Sequence, residues 1–237
     1  MKRSLLRALL AAQEAKRPVA LLTEVESGRQ LLIAGADQQG DLAPSASLIE
    51  AVHERLQQER SGLLEDGKYF LQVFLPPLRL IIVGAVHISQ ALVPMAKLAG
   101  YEVSVIDPRK AWATEARFPG TSMLTQWPDE AMEALQPDAR TAVVTLTHDP
   151  KLDDPALLRA LNSPAFYVGA LGSTRTHARR LERLRAEGLD EAALARIHGP
   201  AGLAIGARAP AEIAISVMAQ MTAVLRQAPR LAPLRNP

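Results

Sequence analysis

Two strand–turn–helix segments in the second half of the chain carry residue types that suit a phosphorylated ligand. The apolar run 80–83 breaks at Gly84 and enters a helix-like segment, and the run 167–168 does the same at Gly169. Such a turn aims free backbone N–H groups, and the positive end of a helix dipole, at whatever occupies the crevice. The two segments therefore predict that an anion binds at the ends of these strands.

The second turn, Gly169-Ala-Leu-Gly172-Ser173-Thr-Arg175, offers the stronger case. Its glycines allow close backbone approach, and the Ser173 hydroxyl can cap the helix or donate to a phosphate. Arg175 lies in the first helical turn, where a cation opposes the helix dipole by about 0.3–1 kcal/mol, and Arg179 follows one turn later on the same side. A bound anion would offset that cost. We therefore favour an anion site over the alternative, an ordinary capped surface helix.

The first turn has the setting of a dinucleotide-binding turn but lacks two of its glycines. In the pattern G-x-G-x-x-G, the second glycine admits the pyrophosphate and the third allows tight helix–strand packing. Val86 and Ser89 occupy these positions, while Asp107, 23 residues past Gly84, ends the next strand where a ribose-binding carboxylate belongs. The segment predicts a Rossmann scaffold with an altered dinucleotide site, and a simple strand–helix turn is the alternative.

Histidines lie near two of the strand ends. His148 and Asp149 follow the predicted strand 141–146, at the carboxyl edge where open parallel sheets bind ligands, and His87 stands beside the first turn. His148 can hydrogen-bond a ligand or act as an acid or base, whereas Asp149-Pro150 is also a common helix-entry turn. No spacing among the five histidines indicates a metal site, so we predict none.

A loop that contains Gly202 and Gly206 precedes the last predicted helix, which begins at Pro210. Proline at the helix start, and Glu212 in the first turn where a negative charge is favourable, account for the helix. They do not account for the two glycines. We therefore keep both glycines as candidates for ligand binding.

Alternating strand and helix patterns from Leu78 onward predict a parallel sheet covered on both faces, a Rossmann-like α/β arrangement. Pro76-Pro77 precede this region and stop any ladder, so we predict an α+β domain at 1–77 and a Rossmann-like domain at 78–237. The predicted strands are 19–25, 30–33, 68–75, 79–83, 102–106, 141–146 and 165–168. The predicted helices are 4–15, 48–59, 88–99, 129–135, 153–161, 174–187, 190–197 and 210–226.

The composition excludes several classes of protein. The 237 residues include 48% hydrophobic and 22% charged side chains, as in ordinary globular proteins, and the net charge of +2 does not indicate nucleic-acid binding. No apolar stretch is long enough to span a bilayer, and the first residues suggest an amphipathic helix, so we predict no membrane contact and a cytoplasmic location. The chain has no cysteine, which excludes thiolate metal sites and a persulfide on this chain.

Taken together, the motifs between Leu80 and Leu225 resemble the XdhC/CoxI family, accessory proteins for xanthine dehydrogenase and related molybdenum hydroxylases. The matching residues are Gly84 and His87, Val105-Ile-Asp107-Pro-Arg109, Phe118-Pro119, Thr147-His148-Asp149 with Asp153, Gly169-x-x-Gly172-Ser173-x-Arg175 with Arg179, Gly199-Pro200-x-Gly202-Leu203-x-Ile205-Gly206, and Pro210-x-Glu212-Ile213-Ala214 with Ser216. The chain departs from the family pattern at Val86, where a second glycine is usual, and at Ala201 and Ala204.

Membership would imply a protein that binds molybdenum cofactor (molybdopterin), protects it during sulfuration by a cysteine desulfurase, and delivers it to the apo-subunit of a molybdenum hydroxylase. Such a protein is a chaperone without turnover of its own. The resemblance leaves open whether the cofactor is nucleotide-extended and whether the protein forms a homodimer. The residues that we expect to bind the cofactor are Gly84, His87, Asp107, Arg109, His148, Asp149, Gly169, Gly172, Ser173, Arg175, Arg179, Gly202 and Gly206.

Two other functions stay open. An NAD(P)-dependent oxidoreductase on the same fold is favoured by Asp107 and disfavoured by Val86, by Ser89 and by the lack of an obvious catalytic pair. The second open function is that of a nucleotide-sensing or scaffolding subunit, which would hold two partners together. The chaperone is favoured because molybdopterin carries a phosphate, which an arginine can bind with two charge-assisted hydrogen bonds.

Overall fold

In the computed structural model, which describes residues 2–228, the chain forms two compact units, Met1–Pro76 and Pro77–Pro237. The division falls one residue before the predicted boundary between residues 77 and 78. That each unit is an independent folding domain stays a prediction. Among residues 2–228, no helix is both long enough and apolar enough to cross a membrane.

The first unit is an antiparallel sheet with a helix on each face. Its elements are α1 (Arg3–Glu14), β1 (Val19–Glu24), β2 (Gln30–Ala34), β3 (Asp37–Gly40), α2 (Ala46–Gln57), β4 (Gly62–Leu63) and β5 (Tyr69–Phe74). The strand order is β3-β2-β1-β5-β4. Successive side chains of β1 point to opposite faces, so Leu21 packs with Leu5 of α1 while Leu22 packs with Val52 of α2. The predicted α+β character of this region is confirmed.

The second unit is a six-stranded parallel sheet with helices on both faces. Its elements are β6 (Leu78–Val83), α3 (His87–Leu98), β7 (Tyr101–Ile106), β8 (Ser122–Leu124), α4 (Pro128–Leu135), β9 (Thr141–Thr145), α5 (Pro150–Leu161), β10 (Tyr167–Ala170), α6 (Thr174–Ala186), α7 (Glu191–Leu194), β11 (Ile197–His198) and α8 (Pro210–Leu225). The strand order is β11-β10-β9-β6-β7-β8, with every neighbour parallel. This order confirms the predicted Rossmann-like fold.

The central strand β6 is apolar on both sides because both of its faces are covered. Leu80 and Ile82 pack in a core with residues of α3 and α8, and Ile81 and Val83 pack in a second core with residues of α4, α5 and α6. This explains why the strand is a continuous apolar run without alternation. The chain leaves β6 toward β7 on one side and later returns to β9 on the other. The switch between these two directions opens a crevice at the carboxyl ends of the strands.

Several details differ from the predicted elements. The short edge strands β3, β4, β8 and β11 were not predicted, because two to four residues carry too little pattern, and β11 takes the end of the helix expected at 190–197. The strand expected at 165–168 is observed at Tyr167–Ala170. The prediction that this strand breaks at Gly169 was wrong, since Gly169 lies inside β10.

Candidate functional site

The carboxyl ends of β6, β9 and β10 meet at one edge of the parallel sheet. The amide of Leu146 donates to the carbonyl of Val83 at 2.9 Å, and the amide of Leu171 donates to the carbonyl of Thr145 at 2.9 Å. The three turns that follow these strands therefore lie at the same edge of the sheet, where open parallel sheets bind their ligands.

The Asp107 carboxylate, placed just after β7, is fully buried and fully hydrogen-bonded. Its Oδ1 accepts from the amide and the Nε of Arg109 at 3.0 and 2.8 Å, and its Oδ2 accepts from the amide of Ala85 and the Nη2 of Arg109 at 2.8 and 2.7 Å. Burial alone would raise the pKa of Asp107, but these hydrogen bonds outweigh it and lower the pKa. Four donors match the lone-pair sites of a carboxylate, so a ribose hydroxyl would have to displace one. This arrangement disfavours an NAD(P) site.

The rest of the first turn is also tied to its own neighbours. The carbonyl of Gly84 accepts from the hydroxyl of Ser89, and the carbonyl of Ala85 accepts from Nη1 of Arg117 at 2.8 Å. Ser89, where a dinucleotide turn would have its third glycine, is buried. His87 is exposed at the start of α3. Of the predicted residues at this turn, His87 has the side chain most available to a ligand.

Arg109 connects the first turn to the rest of the crevice. Its guanidinium lies over the ring of Trp112, 5.1 Å from the ring centre. The hydrogen bond to Asp107 raises the pKa of Arg109 most, and the charges of Asp149 and Asp153 raise it further. The charge of Arg109 therefore interacts with the acidic residues that follow β9.

The turn after β9 contains a strained histidine. His148 has a φ of 63°, a left-handed conformation that costs a non-glycine residue about 1–3 kcal/mol. Asp149 caps α5, because its Oδ1 accepts from the amide of Lys151 at 3.0 Å. Thr147 Oγ1 donates to Oδ1 of Asp153 at 2.6 Å. Asp149 thus has the helix-entry role that we gave as its alternative, while the exposed His148 side chain borders the cleft described below.

The turn before α6 leaves two arginines exposed. Ser173 caps the helix, since its hydroxyl accepts from the amide of Thr176 at 3.1 Å. Gly172 has a φ of 144°, and a Cβ there would lie 3.1 Å from a methyl group of Thr176. Within residues 2–228, neither Arg175 nor Arg179 forms an ion pair, and both side chains are exposed. Their charges are available to an anion.

Three predicted glycines remain, and for two of them a neighbouring side chain explains why the residue is glycine. The ring of Tyr167 lies across Gly169, with Cε1 2.6 Å from where a Cβ would be. Gly202 has a φ of 101° and lies against Ser216 of α8, which leaves no space for a side chain. Gly206 has a φ of 78° and faces open space. Close packing within the protein therefore accounts for Gly169 and Gly202, and a role in ligand binding stays a prediction for all three.

Arg180 was not among the predicted site residues. Its side chain is only 2% exposed, and Nη2 donates to the carbonyl of Leu171 at 2.8 Å. The Nη2 atom is 3.9 Å from Oδ2 of Asp153, whose side chain is also 2% exposed. Among residues 2–228, Nε and Nη1 of Arg180 and Oδ2 of Asp153 have no hydrogen-bond partner. The available signal was helical spacing, since Arg180 precedes the buried Leu184 by one turn.

The pKa shifts of this pair have the directions expected of incompletely compensated charges. Burial lowers the pKa of Arg180, and the attraction of Asp153 opposes this only in part. Burial raises the pKa of Asp153 despite the hydrogen bond from Thr147 and the charge of Arg180. Each group would gain from a further partner.

A cleft of about 410 Å³ joins these residues at the carboxyl edge. It is bordered by His148, Asp153, Arg175, Arg179, Arg180 and Arg183. A cavity of about 500 Å³ lies in the first unit, beside Glu54, Arg55 and Asp66, but no predicted site residue borders it. The smaller cleft is the better candidate site, because it combines the strained histidine with a cluster of arginines.

Comparisons with known proteins agree with this fold. The XdhC Rossmann domain family matches residues 80–221. A solved structure of a xanthine dehydrogenase from Bacillus halodurans is 22% identical, with a TM-score of 0.69 over 98% of this chain and 66% of that one. At this identity the structural match supports the fold alone.

Two curated relatives have informative names. The molybdenum cofactor insertion chaperone PaoD of Escherichia coli (strain K12) is 32% identical over 167 residues, which is 70% of this chain and 46% of that protein. A probable xanthine dehydrogenase subunit from Bacillus subtilis (strain 168) is 32% identical over 153 residues, which is 64% of this chain and 44% of that protein. The matches span less than half the length of these relatives. The family match covers more than half of this chain and confirms the predicted resemblance: the chain belongs to the XdhC family.

Proposed function

We propose that this protein binds molybdenum cofactor and acts as an insertion chaperone for a molybdenum hydroxylase of the xanthine dehydrogenase type. The observation that carries the proposal is the arginine cleft at the carboxyl edge, in a chain that is 32% identical to a molybdenum cofactor insertion chaperone. Family membership supplies the chemical context, and the cleft supplies groups that suit a phosphorylated pterin.

The cofactor would lie across the carboxyl edge of the sheet. Its phosphate suits Arg175 and Arg179, since a guanidinium donates two parallel hydrogen bonds to phosphate oxygens. The strained turn at His148 and the exposed His87 flank the crevice and would contact the pterin. Asp107 would act indirectly, by holding Arg109 and the first turn in place.

The proposal extends to partners of the cofactor pathway. The chain has no cysteine, so sulfur for the cofactor would come from a cysteine desulfurase, and the apo-subunit of the hydroxylase would receive the product. Both plain and nucleotide-extended cofactor carry phosphate groups, so the proposed function does not depend on the extension. The cytoplasm is the proposed location, and a homodimer is compatible with the proposal.

Retention of cofactor is the first test. The protein is purified from a bacterial host that makes molybdopterin, the bound pterin is oxidised, and its fluorescence is measured. We expect a pterin signal well above that of the same protein from a molybdopterin-deficient host. The double variant Arg175→Ala/Arg179→Ala should retain about tenfold less, because it loses two charge-assisted contacts. Arg185→Ala is the matched control, since it removes the same charge from the far end of α6.

Equal pterin signals from the two hosts would contradict the proposal. Delivery is the second test: cofactor-loaded protein, mixed with apo-hydroxylase and a cysteine desulfurase with cysteine, should restore hydroxylase activity faster than free cofactor does. If the loaded protein gives no advantage over free cofactor, the chaperone role fails even where binding holds.

A further inference from the structure

The buried guanidinium of Arg180 has hydrogen-bonding capacity that the protein leaves unused. Its Nη2 donates to the carbonyl of Leu171 at 2.8 Å, while Nε and Nη1 have no partner among residues 2–228. The nearest carboxylate oxygen, Oδ2 of Asp153, is 3.9 Å from Nη2 and is itself without a partner. A buried charged pair is stable only when its remaining donors and acceptors are satisfied. The pair is therefore incomplete as it stands, and it borders the cleft.

The guanidinium of Arg180 lies close to the turn before α6. Its Nη2 would lie 3.8 Å from a Cβ at Gly172, so the guanidinium is next to the glycine turn. The exposed Arg175 and Arg179 border the same cleft. An anion there would have the buried guanidinium on one side and exposed cationic side chains on the other.

The charges of the cleft fit a ligand with two negative charges. Arg183 donates to Asp154 at 2.5 and 3.0 Å, which neutralises it, and Asp153 offsets one further arginine. Four guanidinium groups against two carboxylates leave an excess of two positive charges. A phosphate monoester has a charge of about −1.5 to −2 at neutral pH, whereas a phosphate diester has only about −1.

We propose that this cleft is a receptor for the dianionic phosphate of a monoester, in which the buried Arg180 fixes the phosphate and Arg175 with Arg179 enclose it. The inference rests on the proposed function and deepens it by naming the part of the ligand that binds and the residue that selects it. The ligand class is a phosphate monoester end, as in a cofactor without nucleotide extension.

Titration calorimetry with two small probes tests the charge selection. Methyl phosphate and dimethyl phosphate are titrated into the full chain, at equal ionic strength and in a buffer without phosphate, because salt screens these contacts. Methyl phosphate should bind about tenfold or more tightly than dimethyl phosphate. Equal affinities, or no detectable binding of methyl phosphate, would overturn the inference.

Variants test the assignment to Arg180. Arg180→Lys keeps the positive charge but loses the planar fork, so it should weaken methyl phosphate binding about tenfold. The double variant Arg175→Ala/Arg179→Ala changes exposed positions only, so it tests the cleft as the phosphate site even if Arg180→Lys does not fold. It should weaken binding by a similar factor, while Arg185→Ala should bind as the unmodified protein does. Undiminished binding in the folded variants would overturn the assignment.

The inference and the proposed function can fail separately. Pterin that is retained equally by the unmodified protein and by the cleft variants would overturn the phosphate receptor and leave the chaperone function standing. Selective binding of methyl phosphate, without any pterin retained from a molybdopterin-producing host, would support the receptor and contradict the chaperone.

Discussion

The turn after β6 and the turn after β10 both lead from a parallel strand into a helix, yet they use their polar groups in opposite ways. In the first, Asp107, Ser89 and Arg117 satisfy the backbone of the turn, and Asp107 itself accepts four hydrogen bonds. In the second, Arg175 has no ion pair within residues 2–228, and the buried Arg180 keeps two nitrogens without a partner.

This difference shows that the fold offers several possible sites and that side chains decide which one is used. The first βα turn is the usual place for a dinucleotide in a Rossmann fold. Here the polar groups of this turn form hydrogen bonds within the protein, so the turn serves as a rigid support. Buried polar groups are nearly always partnered in native proteins. The incomplete partnering of Arg180 therefore supports the proposal that a ligand binds at the second turn.

Removal of Asp107 should have the largest effect on stability. Asp107→Ala leaves the Ala85 amide and the Arg109 guanidinium without their acceptor, and we expect the free energy of unfolding to fall by about 3 kcal/mol. Urea unfolding measures the change. Glu133→Ala is the control, since it breaks an exposed ion pair with Arg159 and should cost under about 1 kcal/mol. If both variants lose equally little, the first turn is not held by Asp107.

A side chain at Gly84 should be nearly as damaging. Gly84 has a φ of 110°, and a Cβ there would lie 2.6 Å from Cγ2 of Thr147, so Gly84→Ala should cost about 2 kcal/mol. Thr147→Ser removes that methyl group but keeps the hydroxyl that donates to Asp153. The double variant should regain part of the loss in a thermal unfolding experiment. If the stability changes of the two single variants simply add in the double variant, the side chains at positions 84 and 147 do not clash.

Acid should weaken the surroundings of the second turn before it weakens the first. Burial lowers the pKa of His198 and of His177, the latter also through Arg180, so the unfolded chain takes up protons near pH 6.5 that the folded chain refuses. Stability therefore falls as the pH drops below 6.5. The lowered pKa of Asp107 has its effect only below 3.8.

The variant His198→Phe isolates the histidine contribution. The ring of His198 stacks on Tyr167 with 4.7 Å between ring centres, and phenylalanine keeps this stacking without the titrating nitrogen. Melting temperatures of the variant, followed from about pH 7.5 to about pH 5, should fall less than those of the unmodified protein. Parallel curves for the two proteins would refute the contribution of His198.

The smallest expected effect distinguishes the two ends of α6. Arg175 in the first turn opposes the helix dipole, so Arg175→Ala should raise stability by about 0.3–1 kcal/mol when no anion is present. Arg185 in the last turn has a favourable position and pairs with Glu191, so Arg185→Ala should lower stability slightly. Opposite signs in chemical unfolding would show that Arg175 costs the helix stability, as expected of a residue kept for a ligand. A loss for both variants would indicate that Arg175 stabilises the protein itself.

Much of the second unit could be predicted because its strands are apolar runs and its helices begin at recognisable residues. The run 80–83 is buried on both faces, and Ser173 and Pro210 start helices where expected. The edge strands could not be predicted, since pairing with a neighbour defines them and their own residues do not.

The site was harder to predict than the fold. Arg175 and Arg179 lie on the cleft, as their place in the first turns of a helix suggested. Arg180 was missed because an arginine on a basic helix is expected to face solvent, and its burial depends on how α6 packs. The sequence also did not reveal that the Asp107 carboxylate is hydrogen-bonded within the protein. Those hydrogen bonds depend on the distances from Asp107 to Ala85 and Arg109, which residue spacing does not give.

The short outer strands of both sheets have a consequence for assembly. The antiparallel sheet ends in β3 and β4, with four and two residues, and the parallel sheet ends in β8 and β11, with three and two. Long exposed edges recruit other chains through main-chain pairing and lead to aggregation. Here a foreign strand would gain only a few ladder hydrogen bonds at any edge. Such weak pairing suits a protein whose proposed client is an apo-subunit that has not yet received its cofactor.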